Sequence, residues 1–445
     1  MSTWYEKGVF YHMYPLGMTG APRDNQEHRV VDRFQELNAW IPHIRSLGCN
    51  AIYIGPLFES SSHGYDTRDY KLVDRRLGDN RDFRLFVDLC HETGIKVVVD
   101  GVFNHTGREF FAFTDLQMNR EASPYKDWYR GVNFGYGSPL GDSFCYDAWQ
   151  GHFELPCLNL SHPAVKQYLW DVIGDWIREF NIDGIRLDCA NVMDFGFMKE
   201  LRSQTSHMKE DFWLMGEVIH GEYARWVNPD MLHSVTNYEL HKGLYSGHND
   251  HNYFEIAHTV RRLDTIGNRL YTFVDNHDED RIASKLQDPA HLYPVYTLLF
   301  TLPGIPSIYY GSEWGMKGCR TRDSDQALRP RIAIAEEASL HRELTDFIGQ
   351  LGQIHDENPE FHGGRYAELL LTNRQYAFAR FAPESAVITA VNNDADAAHL
   401  LIPVPIHAKT AVNLLSGEEL PIQDGRVEVS IEGNFSIVLK IREES

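Results

Sequence analysis

The sequence predicts an α/β protein: a (β/α)8 TIM barrel carrying a small inserted domain B, followed by a C-terminal antiparallel β domain. Three observations carry this reading. Eight short, β-rich apolar runs alternate with helix-length segments over most of the chain. One long stretch, residues 104–162, interrupts the alternation. After about residue 352 the helical patterns give way to strands separated by turns.

The candidate strands are VFYHMY (9–14), AIYIGPL (51–57), KVVVDGV (96–102), GIRLD (184–188), FWLMGE (212–217), HSVTNY (233–238), RLYTFVDN (269–276) and PSIYYG (306–311). Several are nearly all apolar, as strands of a parallel sheet covered on both faces must be. Between them lie RFQELNAWIPHIRSLG, NRDFRLFVDLCHETG and HPAVKQYLWDVIGDWIREF. The last places Val165, Leu169, Val172, Ile173 and Trp176 on one helical stripe, and its LSHP start offers a capping serine or a proline in the first turn. Eight strands at this length close most naturally into a barrel. A doubly wound open sheet is the runner-up, but no glycine-rich first turn supports it.

Residues 104–162, rich in Phe, Tyr, Gly and Asp, are too many for an ordinary loop and read as a domain over the barrel mouth. YAELLL, QYAFARFA, SAVITAVNN, LLIPVP, TAVNLLSG, RVEVSI and FSIVLKI read as strands of a terminal sandwich. The division is therefore 1–103 and 163–352 for the barrel, 104–162 for the insertion and 353–445 for the C-terminal domain.

The 445 residues hold 63 Asp and Glu against 42 Lys and Arg, a formal charge of -21. Such a surface repels phosphate backbones and anionic lipid, which excludes nucleic acid and membrane as natural partners and leaves neutral substrates unpenalised. The first residues show no basic segment followed by an apolar run, and no stretch reaches the length of a membrane span. Six dispersed cysteines follow no metal or disulfide spacing. A cytoplasmic protein is expected.

GIRLDCAN (184–191) places Arg186 and Asp188 on one side of a strand end, with Leu187 on the other. Alone, this is equally well a structural salt bridge. Polar residues at the C-terminal ends of barrel strands, however, face one mouth. The second strand leads to His63, Tyr65 and Asp66; the third ends in Asp100, Asn104 and His105; the fifth gives Glu217; the seventh gives His277 and Asp278. Asp100 reads as structural, tying neighbouring loops. Asp188, Glu217 and Asp278 with Arg186 as their fixed cation form a like-charge cluster, whose pKa values are driven apart. One ionised and one protonated carboxyl are what glycoside cleavage through a covalent intermediate requires. His105 and His277 can donate to sugar hydroxyls, and Tyr65 can stack on a sugar face. A divalent metal site competes with this reading, though Arg186 opposes a cation.

DGVFNH, GIRLD, GEV and FVDNHD, in this order and spacing, resemble the four signature regions of the alpha-amylase family, glycoside hydrolase family 13. The resemblance covers roughly residues 5–350, with the tail similar to the family's domain C. It implies Asp188 as nucleophile, Glu217 as general acid/base and Asp278 as the third carboxylate, which clasps sugar hydroxyls. It also implies that Arg186 orients Asp188, that His105 and His277 bind the reacting sugar, that Tyr65 forms the platform beneath it and that Asp66 holds the local network. ELPCLN (154–159) and GEVIHGEYARWVNPDMLHSVTNYEL resemble the neopullulanase and cyclomaltodextrinase group. Those relatives usually carry an N-terminal β domain that helps them dimerise; the first strand here begins near residue 9, so a monomer or weak homo-oligomer is expected. YYGSEWGMKG has Ser312 where many relatives place an acid, and offers Trp314 as a substrate-facing aromatic or, alternatively, a cap on the barrel rim. Asn104 matches a position that contributes to calcium in many relatives. Here Asp115, Asp127, Asp142 and Asp147 make no recognisable loop, so structural Ca²⁺ is not favoured and the chemistry needs no cofactor.

The implied activity is retaining hydrolysis of α-1,4 bonds in maltooligosaccharides, with cyclodextrins and pullulan as further substrates. A 4-α-glucanotransferase uses the same three carboxylates, with acceptor aromatics drawn from Trp314, Tyr129, Phe134, Tyr136 and Trp149. A non-catalytic carbohydrate-binding relative would be expected to have lost one of the acids, and all three are present.

Overall fold

A computed structural model describes residues 3–26, 29–322, 324–334 and 342–443. Each of the eight expected runs forms a strand: β1 (Phe10–Met13), β2 (Ala51–Ile54), β3 (Lys96–Gly101), β4 (Gly184–Leu187), β5 (Trp213–Gly216), β6 (Ser234–Val235), β7 (Tyr271–Phe273) and β8 (Ile305–Tyr309). All neighbours pair in parallel, from β6 through β5, β4, β3, β2, β1 and β8 to β7. A parallel bridge between Thr236 and Tyr271 closes the ring, with the Asn237 N–H donating to the Tyr271 carbonyl at 2.9 Å.

Alternation along the strands sorts their side chains into two layers. Tyr11, Ile52, Ile54, Val97, Val99, Ile185, Leu187 and Leu214 join the core between sheet and helices. Phe10, Tyr53, Val98, Trp213, Met215, Tyr271, Phe273 and Ile305 fill the barrel interior as a separate cluster. Leu187 thus anchors its strand outward, as its place between Arg186 and Asp188 predicts.

Helix Pro163–Phe180 starts on the proline alternative: Pro163 opens it, and the cap is His162, whose Nδ1 accepts the Ala164 N–H. Ser161 instead donates to Asn159 at 2.7 Å. The 33–48 pattern forms two short helices, Phe34–Asn38 and Ile41–Ser46, rather than one. Pro42 has no N–H to give the Asn38 carbonyl, so the first helix ends there.

Between β3 and helix Pro163–Phe180 the chain forms a helix (Phe111–Asn119) and a hairpin (Ala148–Trp149 with His152–Pro156). The bridge His105–Cys157 ties this segment back to the end of β3, and Tyr129–Leu158 joins two parts of the segment itself. The last barrel helix, Arg342–Glu357, runs past residue 352, so a boundary there falls inside it; the terminal sheet begins only at Arg365. The helical stripe of Leu344, Phe347, Ile348, Leu351 and Ile354 carries across that point, which the strand-like residues beyond it obscured. The tail is a single antiparallel order of eight strands folded over its own core of Ile388, Ile402, Val427, Ile431 and Leu439. Buried Arg380 joins it to the barrel, donating to the Thr301 carbonyl and to Asn268 at 3.1 and 2.7 Å.

Candidate active site

The register of β3, β4 and β5 builds the centre. Asp100 pairs with Arg186, and Arg186 with Met215, so Asp100 and Arg186 stand at one level of the barrel. Two residues beyond β4, the chain turns through Cys189 in a left-handed conformation, φ 52° and ψ 35°. A non-glycine residue in that region is uncommon and marks a local constraint. The turn points the Cys189 N–H at Glu217 Oε2, 3.0 Å away. This is why the strand stops where it does: the backbone after Asp188 becomes a donor to the neighbouring strand's acid.

Arg186 is buried and contacts three carboxylates. Nη1 lies 2.9 Å from Asp100 and 2.8 Å from Asp188, while Nη2 lies 3.1 Å from Glu217. Asp100 is completed by Tyr53, whose hydroxyl donates at 2.9 Å, and a side chain at Gly55 would collide with its carboxyl. Asp100 is thus the tie its sequence position suggested.

Burial raises the Glu217 carboxyl above the ordinary glutamate range; Arg186 opposes this, and Asp188 and Asp278 add to it. At Asp278 burial works in the same upward sense, but His277, Arg329 and Arg186 outweigh it and hold the group well below the usual range. The two acids are therefore pushed apart in the sense that an acid–base site needs.

Asp278 extends from the end of β7, its N–H donating to Asn276 Oδ1 at 2.9 Å. Its carboxylate meets His277 Nε2 at 3.0 Å and Arg329 at 2.8 Å. Tyr65 lies in the loop after β2, with its hydroxyl 2.6 Å from His277 Nε2 and its ring stacked on His277 at 5.6 Å. Asp66 accepts from the Ser62 backbone and hydroxyl at 3.0 and 2.6 Å, which closes that loop. His105 lies at the centre, its Nε2 donating to the Tyr65 carbonyl at 3.1 Å and its Nδ1 3.2 Å from Asn104 Nδ2. Both ring nitrogens already have protein partners.

Trp314 corrects an expectation. It is 2% exposed and stacks on His43 at 5.0 Å, with Trp40 at 5.6 Å. The turn after β8 directs it outward, into the layer beneath helix Ile41–Ser46, so it is not a substrate-facing aromatic. Of the insertion's aromatics, Tyr129 is buried against Phe113, whereas Trp149 is half-buried with its ring centre 5.9 Å from His105.

Three contributors escaped the sequence reading. Arg329 pairs with Asp278 and also donates to the His277 carbonyl at 3.1 Å. Tyr53 holds Asp100, and His12 stacks on Tyr53 at 4.3 Å, edge-on to His277. Tyr53 and His12 alternate inward with the apolar residues of β1 and β2, a signal that was available. Arg329 lies on an irregular segment, where no period announces it.

Asn104, Asp142 and Asp115, weighed for calcium, each have protein partners. Asn104 faces His105, Asp142 is held by Arg108, and Asp115 accepts from Ser123 and Asn119. Among the described residues, the group of three close His, Cys, Asp or Glu ligands is His105, Asp188 and Cys189, whose ligand atoms lie within 4.8 Å of one another.

Residues 34–357 match the model for the alpha-amylase catalytic domain. The chain belongs to the alpha-amylase family. It is similar to a cyclomaltodextrinase of Thermoanaerobacter pseudethanolicus, 31% identical over 88% of this chain and 71% of that protein. Neopullulanase 2 of Thermoactinomyces vulgaris is also 31% identical, over 92% of this chain and 70% of the relative. A solved cyclomaltodextrinase superposes with a TM-score of 0.86 at 26% identity, covering 98% of this chain and 78% of that one. The family match makes this chain an alpha-amylase-family glycoside hydrolase with the barrel and C-terminal sheet of that group. Among the described residues no helix is long and apolar enough to cross a membrane.

Proposed function

We propose that the protein hydrolyses α-1,4-glucosidic bonds in maltooligosaccharides, cyclodextrins and pullulan with retention of configuration, and that it works in the cytoplasm. The observation that carries the mechanism is one guanidinium contacting both Asp188 and Glu217. The shared guanidinium gathers both carboxyls at one site, and retention needs them about 5–5.5 Å apart, with a wider gap and a water between them in an inverting site. In the first step Asp188 attacks the anomeric carbon as Glu217 protonates the departing glycosidic oxygen. Glu217 Oε2 already accepts from Cys189 N and faces Arg186 Nη2, so the proton sits on Oε1. In the second step Glu217 takes a proton from water, and the water displaces Asp188. Asp278, kept ionised, clasps sugar hydroxyls; Tyr65 and His277 form the platform and rim of the same subsite. None of these steps calls for a cofactor.

The substrate range rests on the activities for which the relatives are named, and the compartment on 28% identity to the intracellular maltogenic amylase of Bacillus subtilis. The deciding experiment is a product time course on maltotriose, maltoheptaose, cyclodextrin and pullulan, with reducing ends counted. Maltose and glucose should accumulate with one new reducing end per bond broken. Constant reducing ends with redistributed chain lengths would assign a 4-α-glucanotransferase instead, and no cleavage of any α-glucan would reject the substrate class.

A further inference from the structure

Cys189 brings to the centre a group that the proposed mechanism does not use. Its thiol lies beside the candidate nucleophile, Sγ donating to Asp188 Oδ2 at 3.1 Å, and the residue is almost wholly buried. Asp188 Oδ1 is occupied by Arg186, so Oδ2 is the oxygen that faces the sulfur. His105 approaches from the end of β3, and the ligand atoms of the three residues fall within 4.8 Å of one another. A tetrahedral zinc ion with bonds of about 2.0–2.3 Å sets its ligand atoms about 3.3–3.6 Å apart, so closing the group takes side-chain shifts of roughly an ångström.

We propose that His105, Asp188 and Cys189 form an inhibitory site for Zn²⁺, which withdraws the nucleophile from the sugar. The donor set decides the cation: a thiolate and an imidazole favour zinc over the oxygen-seeking Ca²⁺ and Mg²⁺. Arg186 is already set against two aspartates, Asp100 and Asp188, and metal binding adds a thiolate to the centre in place of a neutral thiol. On binding, the Cys189 S–H bond breaks, an S–Zn bond forms and the proton leaves to solvent. One hydrogen bond of the His105 ring, to Asn104 or to the Tyr65 carbonyl, is exchanged for a metal bond. With Oδ2 on the metal and Oδ1 on Arg186, the negative charge of Asp188 is drawn onto a dication and its attack on an anomeric carbon is suppressed. A fourth position is left for water, so the ion is held by three protein ligands and can be stripped by a chelator.

The inhibitory consequence rests on Asp188 being the nucleophile; the site itself does not. Co²⁺ serves as the spectroscopic probe, added to the full chain without substrate. Wild type should show a sulfur-to-cobalt charge-transfer absorption, displaced by Zn²⁺. Cys319 is exposed, so Cys319→Ser is the control for surface thiols and should keep the absorption. Cys189→Ser should lose it and bind Zn²⁺ at least tenfold more weakly. Zinc should also inhibit maltotriose cleavage reversibly with EDTA, and Cys189→Ser should raise the half-inhibiting concentration at least tenfold relative to its own metal-free rate. If circular dichroism shows Cys189→Ser unfolded, His105→Gln reads the same loss of Zn²⁺ affinity. No absorption in wild type, absorption that survives in Cys189→Ser, or absorption that vanishes in Cys319→Ser overturns the site. A chain that binds Co²⁺ through Cys189 yet cleaves no α-glucan sinks the functional reading and leaves the site standing.

Discussion

The two ends of the barrel are made from the same strands and obey opposite rules. At the N-terminal end the inward positions are aromatic: Phe10 stacks on Trp213 at 5.0 Å, meets Tyr271 at 5.5 Å, and Trp4 closes over Trp213. At the C-terminal end the inward positions are Asp100, Arg186, Asp188 and Glu217, joined through one guanidinium. Trp213 and Glu217 are four residues apart on one chain direction. The aromatic end needs only shape, because dispersion and burial are not directional. The charged end is tolerated only because each buried charge has a partner placed to within a fraction of an ångström. One end can therefore be optimised for stability, and the other carries acids, Asp188 and Glu217, kept for chemistry.

Substitutions at each end should separate these roles. The largest effect is expected from Asp188→Asn, which keeps the volume but removes the attacking carboxylate. Turnover of maltooligosaccharides should fall by about 10⁴-fold or more while the thermal transition stays cooperative. Normal turnover by the folded variant would reverse the assignment. Trp213→Ala at the opposite end should do the converse, costing about 3–5 kcal/mol of stability in denaturant titration with little change in KM where the protein remains folded. A loss of turnover without a loss of stability would show that the two ends are not separable in this way.

A middle-sized effect is expected at Arg329, whose removal leaves Asp278 without its nearest cation. Arg329→Gln should lower kcat/KM by about 10- to 100-fold, equivalent to roughly 1.4–2.7 kcal/mol. Unchanged kinetics would mean that His277, Arg186 and Arg320, the last 3.7 Å from Asp278, suffice to hold it ionised.

The smallest effect is one of pH. Glu217 has a folded-state pKa raised above its unfolded value, so the folded chain binds that proton more tightly. Its contribution to stability is present below the ordinary glutamate pKa and is lost as pH rises through the raised one. Glu217→Gln cannot ionise, so the gap between variant and wild type in denaturant midpoint should move in the variant's favour from pH 4 to pH 8. A gap that moves the other way would contradict the raised pKa. The alkaline limb of wild-type activity should correspondingly lie above the usual glutamate range, because the acid must be protonated to act.

Local pattern made much of this legible. Strand periodicity alone separates Leu187 from Arg186 and Asp188, and eight apolar runs imply a closed ring whose polar ends share a mouth. Trp314 shows where pattern stops: nothing in SEWG says whether the turn after β8 aims its aromatic at the mouth or at the helices, and it packs on His43 and Trp40. The 33–48 segment shows the same limit in a milder form, since its apolar stripe runs on while Pro42 divides the helix.

By itself the sequence determined the element order, the inward and outward faces of the strands, and which acids end those strands, because these follow from periods of two and 3.6 residues and from chain direction. Only the tertiary structure decided that Arg329, some fifty residues beyond Asp278, is its counter-ion, that both His105 nitrogens are engaged, and that the left-handed turn at Cys189 sets a thiol against Asp188. Those contacts depend on the directions in which loops leave the barrel. Loop direction is set by packing against other parts of the chain, and no local period records it.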